Sequence, residues 1–371
     1  MYVVDIDYSE LVGKRVECIP ECGLCCLCQP EVLPSESEFF RRNHPTALVR
    51  NKYPEDHLAL ALKKGRGSCV FLNGRRCSVY SQRPTYCRQF PYHFYVGERI
   101  KIELDLSCRG IWTGRGVDAV TDVKPMVDAA DRRLMDALRE ASAVYREFYS
   151  NCRDAGVMGD VSEIRAAVSR HIDHFTDMRF IGNVMDASFE EPVMSLDAVP
   201  KDRDVDMDEL ENAAREAALG SMTSQDPLSV PVYCDEGWKW NIFTASGNRI
   251  DWKVIDDDGD IYDKGRADPS EIPLMPPEPS GSEVLRDYLR ILNQRDSMLG
   301  NTFSMMDEWG YEDDMNNTYY GAMSVTVLDI IWRASMLTHF MGTGMSARGI
   351  REAVIFFDMD RLDAPTIGAF V

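Results

Sequence analysis

The sequence lacks the features that would place the protein in a membrane or on nucleic acid. No apolar run approaches the ~18 residues that a transmembrane helix needs. The N-terminal segment MYVVDIDYSE has no basic residue, so we expect no secretory signal and a cytoplasmic protein. Lysine and arginine number 41 against 61 acidic residues, which gives a net charge of −20. Such a surface repels phosphate backbones and anionic lipid, so we expect no nucleic-acid or membrane partner, whereas a protein partner or protein substrate stays open.

Several signatures of catalytic and ligand-binding sites are also missing. The sequence has no Ser-His-Asp constellation, no phosphate-binding P-loop and no recognisable S-adenosylmethionine loop. The stretch DDDGD lacks the EF-hand spacing because Val254 stands where an acid is needed, which favours a polar turn. The segment GTGMSA (342–347) mimics a dinucleotide loop but follows an apparent helix. A helix end followed by a new helix start at Ser346 explains it better.

Cysteine, by contrast, is concentrated in one part of the chain. Nine of the eleven cysteines lie between residues 18 and 108. Because the cytosol keeps thiols reduced, we expect metal binding here rather than structural disulfides. The other two, Cys152 and Cys234, are interpreted as small buried hydrophobic residues, and replacing either is expected to leave the metal content unchanged.

The first group of cysteines, CIPECGLCCLC, contains five thiols in eleven residues with the spacing C-x3-C-x2-C-C-x-C. The spacing of Cys22 and Cys25 lets one turn aim two thiolates at one metal, and Gly23 can take the positive φ that such a turn needs. Neighbouring side chains generally diverge. Cys25 and Cys26 are therefore expected either to serve two nearby centres or to have different roles.

The second group of cysteines lies in the segment GSCVFLNGRRCSVYSQRPTYCRQFPY. Asn73-Gly74 is a strong hairpin signal between two short β-prone runs. Such a hairpin would bring Cys69 and Cys77 close to each other across its two strands.

Two further turns are predicted to position the last two cysteines of this region. A short helical turn that starts at Arg83-Pro84 would carry Cys87. A hairpin that turns at Gly97 would then deliver Cys108.

The order and spacing of these cysteines resemble the YkgJ-type cysteine-cluster family, which is described as a zinc- or iron-chelating domain. Flagellin lysine N-methylases are more distant relatives of this type. The resemblance covers only the N-terminal part of the chain, and Cys28 is extra to its pattern. It implies that eight thiols bind metal, namely Cys18, Cys22, Cys25, Cys26, Cys69, Cys77, Cys87 and Cys108.

The charged and aromatic residues between these cysteines allow more than one interpretation. Arg83 and Arg88 could balance the negative charge of thiolate-bound metal or bind a substrate carboxylate or phosphate. Surface ion pairs or helix capping would explain them equally well. His93 could be a ligand, but a lone histidine next to aromatic residues more often serves packing.

An all-cysteine donor set suits two four-thiolate sites, which would hold iron–sulfur clusters or zinc ions, or one cluster with a zinc or spare thiols. Ligands that come from irregular loops among aromatic residues favour iron–sulfur, above all a 4Fe-4S cluster, with zinc as the alternative. The first hypothesis is therefore an iron–sulfur protein for electron transfer, sensing or the ordering of a binding surface. The alternatives are an S-adenosylmethionine-dependent protein lysine N-methyltransferase and a zinc-stapled protein-interaction module.

The sequence predicts an α+β protein with three regions. These are a small cysteine-cluster metal-binding domain with hairpins (1–115), a helical middle region (116–222) and an α+β C-terminal domain with a β-meander plus helices (223–371). Apolar spacing and helix-end signals predict helices at 125–152, 162–176, 207–219, 282–298, 319–340 and 347–352. The remaining predictions are an acidic, proline-containing linker at 190–206, a three-stranded meander at 237–265 and a final strand at 353–360.

Overall fold

The chain is known from a computed structural model that describes residues 6–52, 56–190, 193, 195–200, 204–224, 229–361 and 364–371. Over these ranges it combines helices with several small sheets, so the α+β prediction is confirmed. Within the same ranges, no helix has both the length and the apolar run that a bilayer crossing requires.

Helices form most of the regular structure. In chain order they are α1 (Pro34–Asn43), α2 (Thr85–Gln89), α3 (Ala119–Ala155), α4 (Val161–His171), α5 (Met178–Glu190), α6 (Met207–Gly220), α7 (Pro279–Leu292), α8 (Asp296–Glu308), α9 (Met315–Met341) and α10 (Ala347–Asp360). The predicted helix at 207–219 is confirmed by α6, and the one at 319–340 lies inside α9.

The strands are short and belong mostly to the two ends of the chain. In chain order they are β1 (Ile6–Asp7), β2 (Arg15–Val16), β3 (Leu48–Asn51), β4 (His57–Leu60), β5 (Leu72–Asn73), β6 (Arg76–Cys77), β7 (Tyr92–Val96), β8 (Ile100–Leu104), β9 (Val117–Asp118), β10 (Val232–Cys234), β11 (Trp240–Ala245), β12 (Ile250–Ile255), β13 (Ile261–Ala267) and β14 (Ala369–Phe370). They form an N-terminal sheet of order β1-β8-β7-β14, a C-terminal sheet of order β10-β11-β12-β13 and three two-stranded pairs.

The predicted meander is confirmed by β11, β12 and β13, which pair antiparallel in sequence order. Strand β10 adds a fourth strand that the sequence did not predict. Trp238 lies within the range predicted for the meander, but it stands in the turn between β10 and β11 with a φ of 60°. The face of that strand is therefore formed by Trp240 and Ile242, both fully buried.

The long middle helix begins at Ala119 rather than at the predicted Pro125, which lies inside α3. Its cap is Asp118, whose Oδ1 accepts a hydrogen bond of 2.9 Å from the backbone N–H of Thr121. An acidic N-cap of this kind satisfies an otherwise unpaired helical donor, which a proline in the first turn does not do.

Two other helix predictions are wrong in their bounds, and one helix was not predicted. The helix predicted at 162–176 is α4, which is capped by Asp160 and ends at His171. The predicted helix at 282–298 is two helices, α7 and α8, separated at residues 293–295. Helix α5 was not predicted, and its last residue is also the first residue of the predicted linker. Within that linker, residues 191, 192, 194 and 201–203 lie outside the described part of the chain.

The predicted final strand at 353–360 is also wrong, because these residues continue helix α10. All residues from Glu352 to Asp358 are buried, so the segment has no polar face that would reveal a helical period. The start of the helix was predicted correctly. Gly342 ends α9 with a φ of 69°, and Ser346 stands at the N-cap of α10.

One large apolar core joins the N-terminal sheet, the long helices and one face of the C-terminal sheet. Cys152 is part of this core and is fully buried, as its interpretation as a small hydrophobic residue requires. Two smaller apolar clusters lie outside this core, and both contain cysteines of the candidate site.

Asp7, on the edge strand β1, is held by polar contacts to its neighbours. Its carboxylate accepts a hydrogen bond of 2.8 Å from the backbone N–H of Ser9 and lies 3.0 Å from the Lys101 ammonium. Burial alone would raise the pKa of Asp7, but the hydrogen bonds from Ser9 and Lys101 lower it from 3.8 to about 2.

We therefore expect the Asp7→Asn variant to be less stable than the parent protein, by on the order of 1 kcal/mol, at neutral pH. Since the folded-state pKa lies below the unfolded one, the contribution of Asp7 is complete above 3.8 and is lost as the pH falls towards about 2. Urea unfolding of both proteins at several pH values measures this. A difference that stays constant down to pH ~3 would contradict the assignment.

Candidate metal centre

The first group of cysteines lies on a loop and a single helical turn. Cys22 precedes Gly23, and the turn that follows, Leu24–Cys26, carries both Cys25 and Cys26. Gly23 has the predicted positive φ, at 63°. An added Cβ at this glycine would lie 3.0 Å from the Trp240 ring, so the loop also needs glycine because it packs closely on the C-terminal sheet.

The predicted hairpin is confirmed by strands β5 and β6, which pair antiparallel. Gly74 and Arg75 form its turn and both have positive φ, as a two-residue hairpin turn of the I′ type requires. Cys77 lies on β6, and Cys69 precedes β5 and donates its backbone N–H to the carbonyl of Cys26 at 2.7 Å.

Of the three remaining predicted ligands, Cys18 is exposed, and the other two stand where the sequence placed them. Cys87 lies on α2, which begins after Pro84. Cys108 follows the hairpin of β7 and β8, and its backbone N–H donates to the carbonyl of Asp105 at 3.1 Å.

Four thiols, which we call the inner set, pack on one small apolar cluster. They are Cys26, Cys69, Cys77 and Cys87. The cluster around them includes Phe40 and Phe71, so these sulfur atoms are shielded by aromatic rings as predicted. Each member comes from a different element of the N-terminal domain, and the fold brings them to one place.

A second group of thiols lies where the N-terminal domain meets the C-terminal sheet. The Cys22 sulfur is 3.9 Å from the sulfur of Cys234, which was expected to stand apart from the site. Cys108 lies close enough for the charge of Cys22 to raise its pKa, in addition to the larger effect of burial. We call Cys22, Cys108 and Cys234 the junction set.

Cys25 connects the two sets. Its side chain is hydrogen-bonded to that of Cys26, so the two neighbouring thiols lie closer than expected for adjacent residues. The same contact lowers the pKa of Cys25 and raises that of Cys26. The charge of Cys25 also raises the pKa of Cys18 and of Cys69, in both cases after the larger effect of burial.

Burial and mutual repulsion dominate the electrostatics of most of these thiols. Burial raises the pKa of Cys77, and it raises that of Cys87 to about 12 with help from the neighbouring thiols. Cys22 is different, because its hydrogen bond with Cys234 lowers its pKa to about 7 and raises that of Cys234. A bound cation would remove the repulsion that crowding creates.

Arg83 is the cation that faces this group of thiols. Its positive charge lowers the pKa of Cys25 and opposes the upward shifts of Cys18, Cys77 and Cys87. The guanidinium is held in place over the Tyr80 ring, with its carbon 3.8 Å from the ring centre. This position fits the interpretation of Arg83 as a charge-balancing residue.

Arg88 and His93 have other partners. Arg88 forms an ion pair of 3.2 Å with Glu36, which fits the interpretation as a surface ion pair. The Nε2 atom of His93 lies 3.2 Å from the Asp105 carboxylate, and its ring packs edge-on against Phe370.

The donor chemistry of the two sets fits a thiophilic metal. The gathered cysteines offer sulfur, and cysteine thiolates hold both structural zinc and iron–sulfur clusters. Among the described residues, no three cysteine, histidine, aspartate or glutamate side chains form a ready-made ligand set for one ion. The fold therefore brings the thiols near one another, but it does not arrange them around a single metal position. Cys28, the cysteine outside the predicted pattern, is exposed.

The gathered thiols define the class of this region as a cysteine-rich, metal-binding domain. Residues 17–109, about a quarter of the chain, match the family model CxxCxxCC, which is described as a putative zinc- or iron-chelating domain. This part of the chain is therefore similar to the YkgJ-type cysteine-cluster family, as its spacing indicated. Searches of curated proteins and of solved structures gave no match.

The position of Arg83 leads to a prediction about metal retention. We expect the Arg83→Gln variant to lose metal to a chelator about tenfold faster than the parent, because the charge opposing thiolate repulsion is gone. The matched control is Arg88→Gln, whose guanidinium pairs with Glu36, and this variant should behave like the parent. Equal chelator resistance of the Arg83 variant and the parent would contradict the assigned role.

Proposed function

We propose that the N-terminal domain binds iron as iron–sulfur clusters of the 4Fe-4S type through its gathered thiols. The predicted ligands are Cys18, Cys22, Cys25, Cys26, Cys69, Cys77, Cys87 and Cys108. The observation that carries the proposal is the packing of Cys26, Cys69, Cys77 and Cys87 on one apolar cluster, with Cys22 on a second one. Four thiolates are the usual ligand set of an iron–sulfur cluster.

The arrangement supports two neighbouring centres rather than one. The inner set already contains four thiols, while the Cys22 thiol contacts that of Cys234 on the C-terminal sheet. Cys26, which packs with the inner set, would belong to the inner centre, and Cys25 would belong to the second one. The two residues would then serve different centres, which is one of the two roles that their adjacency allows.

The place of the site in the fold supports a role in ordering a binding surface or transferring electrons between partners. The junction set lies between the N-terminal domain and the C-terminal sheet, and not at the tip of a free domain. A centre at this place can fix the relative position of the elements around it. The same location would let a change in oxidation state alter the contact between them, as sensing requires.

The test is anaerobic purification followed by a visible spectrum and by analysis of iron, zinc and acid-labile sulfide. We expect a brown protein with broad thiolate-to-iron absorption and with sulfide in proportion to iron. A colourless protein that holds stoichiometric zinc would contradict the iron–sulfur proposal. A protein with neither metal after anaerobic isolation would contradict metal binding itself.

One observation favours the zinc-stapled module as a second candidate. The inner set consists of four thiols on one small apolar cluster, and structural zinc is commonly bound by four cysteines in a closed site. The metal analysis separates this candidate from the first. The hypothesis of a protein lysine N-methyltransferase stays a prediction, which a measurement of S-adenosylmethionine binding would test.

A further inference from the structure

Cys234 lies outside the matched family domain but next to its thiols. It stands on β10 of the C-terminal sheet, is fully buried, and has its sulfur 3.9 Å from that of Cys22. The two residues are separated by 212 positions in the chain. Since no disulfide joins them, they present two free thiols that face each other in a closed, apolar setting.

The C-terminal sheet holds Cys22 at two points. Cys234 and Trp240 are directly opposite each other in the antiparallel pair of β10 and β11, so their side chains lie on the same face. The Trp240 indole N–H donates to the carbonyl of Cys22 at 2.9 Å, while the Cys234 thiol contacts the Cys22 sulfur. One cross-strand pair therefore fixes both the backbone and the thiol of Cys22.

A buried arginine next to Cys108 in the chain is hydrogen-bonded to the backbone of Cys234. Arg109 follows Cys108 in the chain, and its Nε donates to the carbonyl of Cys234 at 2.7 Å. Its Nη1 donates to Glu352 on α10 at 3.0 Å, and the Tyr233 hydroxyl donates to the same carboxylate. Cys22, Cys108 and Cys234 are thus positioned together by hydrogen bonds that cross from one domain to the other.

Further contacts keep this junction rigid. The Arg75 guanidinium lies 3.6 Å from the centre of the Trp240 ring and forms an ion pair of 2.7 Å with Asp257. The backbone N–H of Ser68 donates to the carbonyl of Asp257 at 3.0 Å. The C-terminal sheet is therefore docked on the cysteine domain by residues that flank the thiols.

We propose that Cys234 is a ligand of the metal centre, so that its coordination sphere is shared between the cysteine domain and the C-terminal sheet. This inference rests on the proposed function. The C-terminal sheet supplies a thiol that the family domain lacks, and this thiol lies beside that of Cys22, a predicted ligand. Metal binding would then fasten the sheet to the cysteine domain.

The test compares Cys234→Ala and Cys234→Ser with Cys152→Ala in the full-length protein isolated anaerobically. Cys152 is a matched control because it is also fully buried but lies in the large core. We expect the metal content of both Cys234 variants to fall by about half if two centres are present, and that of the Cys152 variant to equal the parent value. The serine variant keeps the volume of the side chain, so it separates loss of a ligand from loss of packing.

Hydrogen exchange gives a second reading that does not depend on the metal count. When a chelator removes metal from the parent protein, the amides of residues 232–245 should exchange faster. In Cys234→Ser the chelator should change their exchange much less. Full metal content together with a parent-like exchange response in both Cys234 variants would overturn this inference alone. A parent protein without metal would overturn the proposed function as well.

Discussion

The Cys69→Ala variant is expected to lose the metal of the inner set and to unfold at a much lower denaturant concentration than the parent. Cys69 is buried, and its backbone N–H anchors the hairpin segment to the carbonyl of Cys26. Losing one thiolate from a four-thiolate site leaves the other three without a complete centre, and metal-binding free energy is also folding free energy. The loss of stability should therefore exceed the ~0.5–3 kcal/mol of an ordinary destabilising substitution.

Metal analysis and urea unfolding measure this effect, and Cys152→Ala is again the control. That variant shortens a fully buried cysteine by the same amount, so it reports the cost of packing alone. Cys87→Ala should behave like Cys69→Ala because both thiols belong to the inner set. If both inner-set variants kept all their metal, the assignment of these cysteines as ligands would be wrong.

Cys25 and Cys26 extend this series. If the two residues serve different centres, each single alanine variant should lose about half the metal, since one centre would remain intact. If only one of them is a ligand, the alanine variant of the other should keep nearly all its metal. Since Cys26 is itself a member of the inner set, we expect the first result.

Replacing Arg295 with methionine should be the most destabilising substitution outside the thiols. Arg295 is 3% exposed, and its guanidinium donates to Asp358 at 2.7 Å and to Glu10 at 2.9 Å. Removing it leaves two buried carboxylates without their cation, and breaking one buried pair in this way typically costs ~3–5 kcal/mol. The position matters for the fold because Glu10 belongs to the N-terminal segment and Asp358 to α10.

The matched control is Arg290→Met. Arg290 forms an ion pair of 2.7 Å with Asp287, but both side chains are largely exposed, so its replacement should cost at most ~1 kcal/mol. Urea unfolding of both variants at neutral pH gives the comparison. Equal stability of the two variants would contradict the view that the Arg295 network holds the N-terminal segment onto the helices.

Local features of the cysteine domain could be predicted from the sequence because each is specified by neighbouring residues. Gly23 permits the left-handed turn between Cys22 and Cys25. The Asn73-Gly74 hairpin and the helical turn after Pro84 are likewise short-range choices of the backbone. These turns deliver the predicted ligands in sequence order, so the match to the family spacing and the structure agree.

Contacts between distant segments could not be predicted in this way. The proximity of Cys234 and Cys22 depends on the register of β10 against β11, and nothing near Cys234 in the sequence indicates a partner in the first domain. The stretch DDDGD is a polar turn as predicted, since Asp256 accepts from the backbone N–H groups of Asp258 and Asp260. The sequence did not indicate that this turn contacts the cysteine domain, because the contact joins distant segments. Lys64 of that domain lies 2.8 Å from Asp260.

The wrong prediction of a final strand has a different physical cause. A short apolar run with no exposed face is compatible with a buried strand and with a buried helix, and only the surrounding elements decide between them. Here α10 packs against α7 and α9. Asp358, which lies on α10, accepts a hydrogen bond from Arg295. Neither fact is visible in the eight residues themselves.

X-ray absorption spectroscopy of the anaerobically isolated protein at the iron and zinc edges tests the central claim most directly. If the gathered cysteines hold the metal, its first shell should consist of sulfur at about 2.3 Å, with about four sulfur neighbours per metal atom. Iron–sulfur clusters would add a metal–metal distance that isolated zinc lacks. A first shell of nitrogen or oxygen, or a metal that washes away with a single buffer exchange, would contradict the assignment of these cysteines as the ligands.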